Sequence, residues 1–186
     1  MKTQLEQKYF PYEHWRYSNS EIKTVLKIVP QSGGLVTEWI NNNQKILYFD
    51  IDRYLHSGKS IRGGIPILFP ICGNLIENKF AINNRIYTMN QHGFARDMVW
   101  DIKQLSHPEL LRISLSNSEK TFKNFPYVFN IDIDISITSI SLIYNIKITN
   151  LSNDSMPFSF GLHPYFNVTN IRTTKIIGLS ELALNH

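Results

Sequence analysis

The feature that most constrains the fold of this chain is a pair of alternating segments in its second half. From Phe129 to Thr138, apolar residues at every second position are separated by Asn, Asp and Ser, and Leu142 to Thr149 repeats the pattern. A period of two is typical of a strand with one face in a core, and β-branched isoleucine favours strands. We therefore predict that the two segments pair antiparallel and that one face of the pair is buried.

Weaker strand signals cover much of the remaining chain. They lie in two runs within residues 21–40, separated by Ser32-Gly33-Gly34, and in residues 44–51, 78–89, 98–105, 110–117 and 172–179. Residues 78–89 are predicted to turn at Asn83-Asn84, because asparagine tolerates the positive φ of a two-residue hairpin turn. Residues 98–105 and 110–117 are predicted to pair across His107-Pro108. Residues 1–20 have no clear period and are interpreted as a leader laid across the core, so the chain is predicted to be all-β.

Composition narrows the class of protein. The 186 residues are 42% hydrophobic, which predicts one domain over residues 1–186. A single cysteine, Cys72, excludes an internal disulfide and a cysteine-based zinc site. The net charge of +4 comes from scattered Lys and Arg, which argues against nucleic-acid binding. No signal-peptide core and no membrane-spanning apolar run is present, so we expect a soluble, cytoplasmic protein with no membrane partner.

Three segments combine glycines and aromatic residues with a charged or imidazole side chain. They read IRGGIPILFP at residues 61–70, QHGFARD at 91–97 and FSFGLHPYFN at 158–167. Apolar neighbours lower the local dielectric constant and make an embedded charge costly unless it has a partner or a ligand. Three such segments in one small chain predict a shared pocket.

Two histidines in these segments are candidates for acid and base chemistry. His163 precedes Pro164, which restricts the histidine to extended backbone and fixes the direction of its ring. An imidazole titrates near neutral pH, so His163 could be a general acid or base. The alternative is a buried structural histidine bonded to a backbone carbonyl, and the same two readings apply to His92. A second imidazole favours chemistry only if both rings reach one pocket.

Two arginines in the same segments are candidates for an anion site. Arg62 and Arg96 each lie next to a glycine-containing turn, and two guanidinium groups aimed at one place would bind an anion through bidentate hydrogen bonds. The alternative is that Arg96 pairs with Asp97 or Asp101 and that Arg62 faces solvent. The sequence contains no nucleotide-binding glycine motif, and the histidines lack metal-ligand spacing, so no cofactor and no metal are expected.

With SEKTFKNFPYVF at residues 118–129, these motifs occur in the order and rough spacing of the galactose mutarotase-like superfamily. The chain most resembles the hexose-6-phosphate mutarotase (glucose-6-phosphate 1-epimerase) branch, from about Glu21 to Leu179. The resemblance implies a large antiparallel β-sandwich with a sugar pocket on one concave sheet. It also implies exchange of α and β anomers of a hexose: an acid protonates the ring oxygen, a carboxylate takes the anomeric hydroxyl proton, and the opened aldehyde rotates and recloses.

The same resemblance implies roles for four residues. His163 corresponds to the acid and His92 to the histidine that holds sugar oxygens, while Arg62 and Arg96 correspond to arginines that contact the phosphate. The carboxylate base of the family has no counterpart before His186, and Glu181 carries no family motif. We therefore expect a sandwich that lacks the C-terminal strands of the family, with activity impaired by the missing base.

Two other hypotheses stay open. The chain could be a non-catalytic carbohydrate-binding protein that keeps the sugar-phosphate site without turnover. It could also be a structural β-domain without a ligand, although this would leave the charged glycine segments unexplained. For the epimerase and for the carbohydrate-binding protein alike, the expected partner is a small sugar or sugar phosphate.

Overall fold

The computed structural model describes residues 3–56, 60–105 and 110–178 of the chain. In this part the strands are β1 (Thr3–Lys8), β2 (His14–Asn19), β3 (Thr24–Val29), β4 (Leu35–Asn41), β5 (Gln44–Lys45), β6 (Ile67–Leu68), β7 (Lys79–Ile82), β8 (Arg85–Thr88), β9 (Asp101–Gln104), β10 (Leu110–Ser116), β11 (Phe129–Ile137), β12 (Leu142–Asn150) and β13 (Gly161–Leu162). Two short α-helices are α1 (Ile51–Leu55) and α2 (Glu119–Asn124), and 3₁₀ turns occur at Pro30–Ser32, Ile76–Asn78 and Ala95–Asp97.

The first large sheet has the strand order β1-β2-β3-β4-β5, and all its pairings are antiparallel. Strands β3 and β4 are the two runs predicted around the Ser32-Gly33-Gly34 turn. Strands β1 and β2 correct the interpretation of residues 1–20 as a leader, because both belong to the sheet. The period is hidden there because β1 is an edge strand, and β2 buries polar His14 and Asn19 beside Tyr17.

The second large sheet has the order β12-β11-β10-β9 and is also antiparallel. Along β11 buried and half-buried residues alternate without interruption, with Ile131, Ile133 and Ile135 fully buried. The antiparallel pair predicted from the alternating segments is therefore confirmed. On the polar face of this sheet, Arg112 donates to both carboxylate oxygens of Asp134.

One apolar core joins the inner faces of the two large sheets, so the chain folds as an all-β sandwich. Fully buried residues of the first sheet, including Leu26 and Ile28, belong to the same cluster as Ile113 and Ile133 of the second. The loop residue Phe69 lies within this core, and its ring contacts four other phenylalanine rings at centroid distances of 5.1–6.0 Å. The loop that carries the first glycine-rich segment is thereby anchored to the core.

Two smaller sheets lie outside this pair. The hairpin of β7 and β8 turns at Asn83 and Asn84, whose φ angles of +47° and +62° confirm the predicted asparagine turn. Strands β6 and β13 pair antiparallel and bring residues from the first and third glycine-rich segments together. The strand predicted over residues 172–179 is wrong for its described part, because residues 171–178 form a turn followed by irregular chain. Polar Thr173 and Thr174 bond back to Asn170 there instead of extending.

The two helices were not predicted from the sequence. Helix α2 begins with a capping box, in which the Ser118 hydroxyl accepts from the Thr121 N–H and the Thr121 hydroxyl accepts from the Ser118 N–H. Helix α1 is capped at its N-terminus by Asp50, whose carboxylate accepts from the Arg53 N–H. Both helices are too short to show a hydrophobic period. Among the described residues no helix is long and apolar enough to cross a membrane. The turn predicted at His107-Pro108 lies outside the described residues.

Candidate functional site

The three glycine-rich segments meet at a cleft of about 460 Å³. This volume lies within the range of roughly 300–1,000 Å³ that is usual for small-molecule sites. The charged and imidazole side chains that line it, among the described residues, are Arg62, His92, Arg96, Asp97 and His163. The four residues singled out in the sequence therefore face one cleft. Their assigned roles remain predictions.

Arg62 reaches the cleft because the chain after it runs directly against two other backbone segments. The Gly64 N–H donates to the Tyr48 carbonyl at 2.8 Å, and the Ile65 N–H donates to the Val36 carbonyl at 2.9 Å. At Gly64 φ is +71°, and a Cβ atom would lie 2.4 Å from the Val36 oxygen, so a side chain cannot fit. The Arg62 guanidinium is exposed and has no hydrogen bond or ion pair with another described residue.

His92 occupies the third position of a tight turn. The turn is closed by the Gly93 N–H, which donates to the Asn90 carbonyl at 3.0 Å. The φ of His92 is +66°, a left-handed value that is uncommon for residues other than glycine. Gly93 follows with φ of +74°, and its Cα approaches the Phe69 carbonyl so closely that a Cβ would lie 2.2 Å from the oxygen. Backbone strain at an unfavourable residue type is a feature of functional sites.

The ring of His92 is held by the loop that follows the first glycine-rich segment. The Gly73 N–H donates to the Nδ1 atom of His92 at 2.9 Å. The His92 N–H in turn donates to the Gly73 carbonyl at 2.8 Å. These two bonds fix both the backbone and the imidazole of His92 against the loop that follows Phe69.

Arg96 is oriented by its own segment. Its Nη2 atom donates to the Gln91 carbonyl at 2.9 Å, and its Nε atom lies 3.9 Å from a carboxylate oxygen of Asp97. The pairing of Arg96 with Asp97, which the sequence left open as an alternative, is thus present as a long contact. Both side chains are partly or largely exposed, so this pair contributes little stability. Because a guanidinium has five N–H donors, Arg96 retains several for a ligand.

His163 enters the cleft from the third glycine-rich segment. Strand β13 pairs with β6, and immediately after it the His163 N–H donates to the Pro66 carbonyl at 3.0 Å. The His163 ring is exposed and makes no hydrogen bond to another described residue, unlike a buried structural histidine. It packs against the Tyr165 ring at a centroid distance of 5.0 Å and lies 6.1 Å from the His92 ring.

Positive charge dominates the electrostatics of the cleft. Burial lowers the pKa of His92 below its ordinary value, and the charges of Arg96 and His163 lower it further. The two guanidinium groups and the His163 imidazole face a single opposing carboxylate among the described cleft residues, that of Asp97. An anionic group is therefore the ligand feature that this lining favours.

Sequence reasoning missed two contributions to the site. Tyr165 lines the cleft beside His163, and its place two residues further along extended chain could have been inferred from the strand period of two. Gly73 donates a hydrogen bond to the His92 ring from its backbone N–H. A contact of this kind cannot be predicted from a pattern of side chains. In the described ranges no three His, Cys, Asp or Glu residues come close enough to hold a metal ion.

Comparisons with known proteins place this architecture in a class. A galactose mutarotase-like protein from Lactobacillus casei ATCC 334 superposes with a TM-score of 0.70 and is 26% identical, covering 89% of this chain and 50% of that one. The chain belongs to the aldose 1-epimerase family, which it matches over residues 4–186. The family predicted from the four sequence motifs is therefore confirmed.

Two relatives are more similar in sequence. The Slr1438 protein from Synechocystis sp. PCC 6803 is 41% identical with a TM-score of 0.78, over 82% of this chain and 54% of that one. A protein of Cenchrus ciliaris named "Putative glucose-6-phosphate 1-epimerase" is 30% identical over 81% of this chain and 46% of its own length. The chain thus spans about half the length of these relatives.

Proposed function

We propose that this chain binds a hexose 6-phosphate in the cleft and exchanges its α and β anomers by acid and base catalysis. The observation that carries the proposal is the meeting of Arg62, His92, Arg96 and His163 on one cleft of small-molecule size. Family membership supports the reaction class. The name of the Cenchrus ciliaris relative supports glucose 6-phosphate as the substrate.

His163 is proposed as the acid. Its exposed ring has no competing hydrogen bond among the described residues, so it can carry a proton to the ring oxygen of a bound sugar. The bond between the ring oxygen and the anomeric carbon then breaks while the anomeric hydroxyl loses its proton to a base, which gives the open aldehyde. After rotation about the first carbon–carbon bond, the C5 hydroxyl attacks the other face of the aldehyde and returns its proton to His163. The base gives its proton back to the former carbonyl oxygen, which yields the second anomer.

Arg62 and Arg96 are proposed as the phosphate contacts. Arg62 has no partner among the described residues, and Arg96 is bonded only through Gln91 and the long contact to Asp97. Planar guanidinium groups match the geometry of phosphate oxygens and bind them through paired hydrogen bonds. The two arginines would hold the 6-phosphate while His163 acts at the ring.

A second candidate is sugar-phosphate binding without turnover. Among the described residues of the cleft, Asp97 is the one carboxylate, and it lies against Arg96. This candidate is favoured because the described cleft then holds no other carboxylate that could act as the base. Anomer exchange needs a base for the anomeric hydroxyl in addition to the acid. Both candidates use the same arginines, and they differ in whether bound sugar reacts.

The ligand class is tested by titration calorimetry with glucose and glucose 6-phosphate. We expect tighter binding of the phosphorylated sugar, with a preference that weakens as salt is added, because the attraction is partly between exposed charges. Arg62→Gln and Arg96→Gln should each lower the affinity for glucose 6-phosphate by about tenfold, the typical effect of losing a hydrogen bond to a charged group.

The matched control is Arg85→Gln, which removes an exposed arginine outside the cleft. This variant should bind both sugars as the unmodified chain does. Equal affinities for glucose and glucose 6-phosphate in the unmodified chain would exclude the phosphate site, whatever the effect of the individual variants.

A further inference from the structure

The contact between Gly73 and His92 determines which nitrogen of the imidazole carries a hydrogen. Because the Gly73 N–H donates to Nδ1 at 2.9 Å, that nitrogen must present a lone pair. A neutral ring with an unprotonated Nδ1 carries its hydrogen on Nε2. Protonation of Nδ1 would place two hydrogens against each other and break this bond. The adjacent bond from the His92 N–H to the Gly73 carbonyl, at 2.8 Å, keeps the two residues in register.

We infer that His92, which the family resemblance places against sugar oxygens, acts there as a neutral hydrogen-bond donor through its Nε2–H, and that Gly73 is the residue that positions its ring. The inference rests on the proposed function for the identity of the ligand. The state of the ring rests on the Gly73 contact alone. The two histidines of the cleft would then have separate tasks, with His163 moving protons and His92 only donating.

The surroundings of His92 oppose a positive charge on its ring. Arg96 lies on the same segment, and His163 faces the ring from the segment after β13 at a centroid distance of 6.1 Å. Burial and these two groups lower the pKa of His92. Arg62 and Asp97 are the other charged groups on the cleft, and uncharged Cys72 precedes Gly73.

A neutral donor has a consequence for ligand recognition. It offers one N–H and no net charge, which suits a hydroxyl oxygen that glucose and glucose 6-phosphate share. Charge recognition of a phosphate is left to Arg62 and Arg96. Removing the Nε2–H should therefore weaken the binding of both sugars by the same factor, whereas removing either arginine should weaken only the phosphorylated one.

The ring state is tested without any ligand, by long-range ¹H–¹⁵N correlation spectra of the histidines. The His92 signals are assigned from their loss in His92→Asn and titrated between about pH 5.5 and 8, the range in which free histidine changes charge. We expect a neutral ring with its hydrogen on Nε2 and a bare Nδ1, and a protonation midpoint below the ordinary pKa of histidine, in the direction that burial, Arg96 and His163 impose. A hydrogen on Nδ1, or titration at or above the ordinary pKa of about 6.5, would overturn the inference.

The recognition step is tested by calorimetry with His92→Asn. Asparagine tolerates the positive φ at this position, and its side-chain oxygen can accept the Gly73 N–H, so the turn should be retained while the Nε2–H is lost. We expect equal fold losses in affinity for glucose and glucose 6-phosphate. A loss confined to the phosphorylated sugar would contradict the neutral role. If neither sugar binds the unmodified chain, the proposed function fails and the spectra alone decide the state of His92.

Discussion

Replacing His163 with glutamine should reduce the acceleration of glucose 6-phosphate anomer exchange by about 10²–10⁴-fold, the usual effect of removing one positioned proton-transfer group. Glutamine keeps a polar side chain of similar length but cannot carry a proton to the ring oxygen. Because Arg62, Arg96 and His92 are unchanged, the affinity for the sugar phosphate should be close to that of the unmodified chain. Saturation-transfer NMR between the two anomeric signals measures the exchange rate directly, and calorimetry measures the affinity.

His56→Gln is the control for this experiment, since His56 is an exposed histidine at the end of α1 and does not line the cleft. It should leave exchange unchanged. Equal exchange rates in His163→Gln and the unmodified chain, with acceleration present in both, would remove His163 from the acid role. Tight binding of glucose 6-phosphate without any acceleration by the unmodified chain would instead establish the second candidate, binding without turnover.

Replacing Gly93 with alanine should destabilise the chain by about 3 kcal/mol or more, the range reserved for changes that force backbone movement in a packed region. The added Cβ would lie 2.2 Å from the Phe69 oxygen and 2.4 Å from its carbonyl carbon, and φ is +74°. Neither backbone can yield easily, because the Phe69 ring is fully buried in the core. Urea denaturation followed by tryptophan fluorescence measures the change in the free energy of unfolding.

Gly178→Ala separates the two causes of this effect. Gly178 also has a positive φ, +92°, but a Cβ there would meet no atom of the described residues within 4 Å. This variant should lower the free energy of unfolding by about 1 kcal/mol or less, the conformational cost alone. If Gly93→Ala cost no more than Gly178→Ala, the close approach to Phe69 would not be a determinant of stability.

Much of the sandwich could be predicted from the sequence because its strands bury one face each. In β11 and in the turn at Asn83-Asn84, side-chain pattern and backbone conformation agree, so period and turn chemistry predict the structure. Strand β2 was not predicted, because it buries His14 and Asn19, whose polar side chains obscure the hydrophobic period of two. Helix α2 was not predicted, because six residues are too few to show a helical period. The capping box of Ser118 and Thr121 could have indicated a helix start there.

The candidate site was predictable in its side chains and not in its backbone contacts. Arg62, His92, Arg96 and His163 stood out because charged or imidazole groups lay among glycines and aromatic residues. The bond from Gly73 to His92 could not be predicted, since every non-proline residue carries the same N–H group. The partner of such a donor is determined by the tertiary fold.

The pairing of β6 with β13 also has a consequence for the order of folding. It joins Leu68 with Gly161, 93 positions apart in the chain, and His163 follows directly after β13. In contrast, β10, β11 and β12 pair with near neighbours along the chain. Closing a long loop costs entropy before its contacts are gained, so we expect the pairs among β10, β11 and β12 to form before the β6–β13 pair. We therefore expect the cleft to be completed late in folding, after the neighbouring strands of the second large sheet have paired.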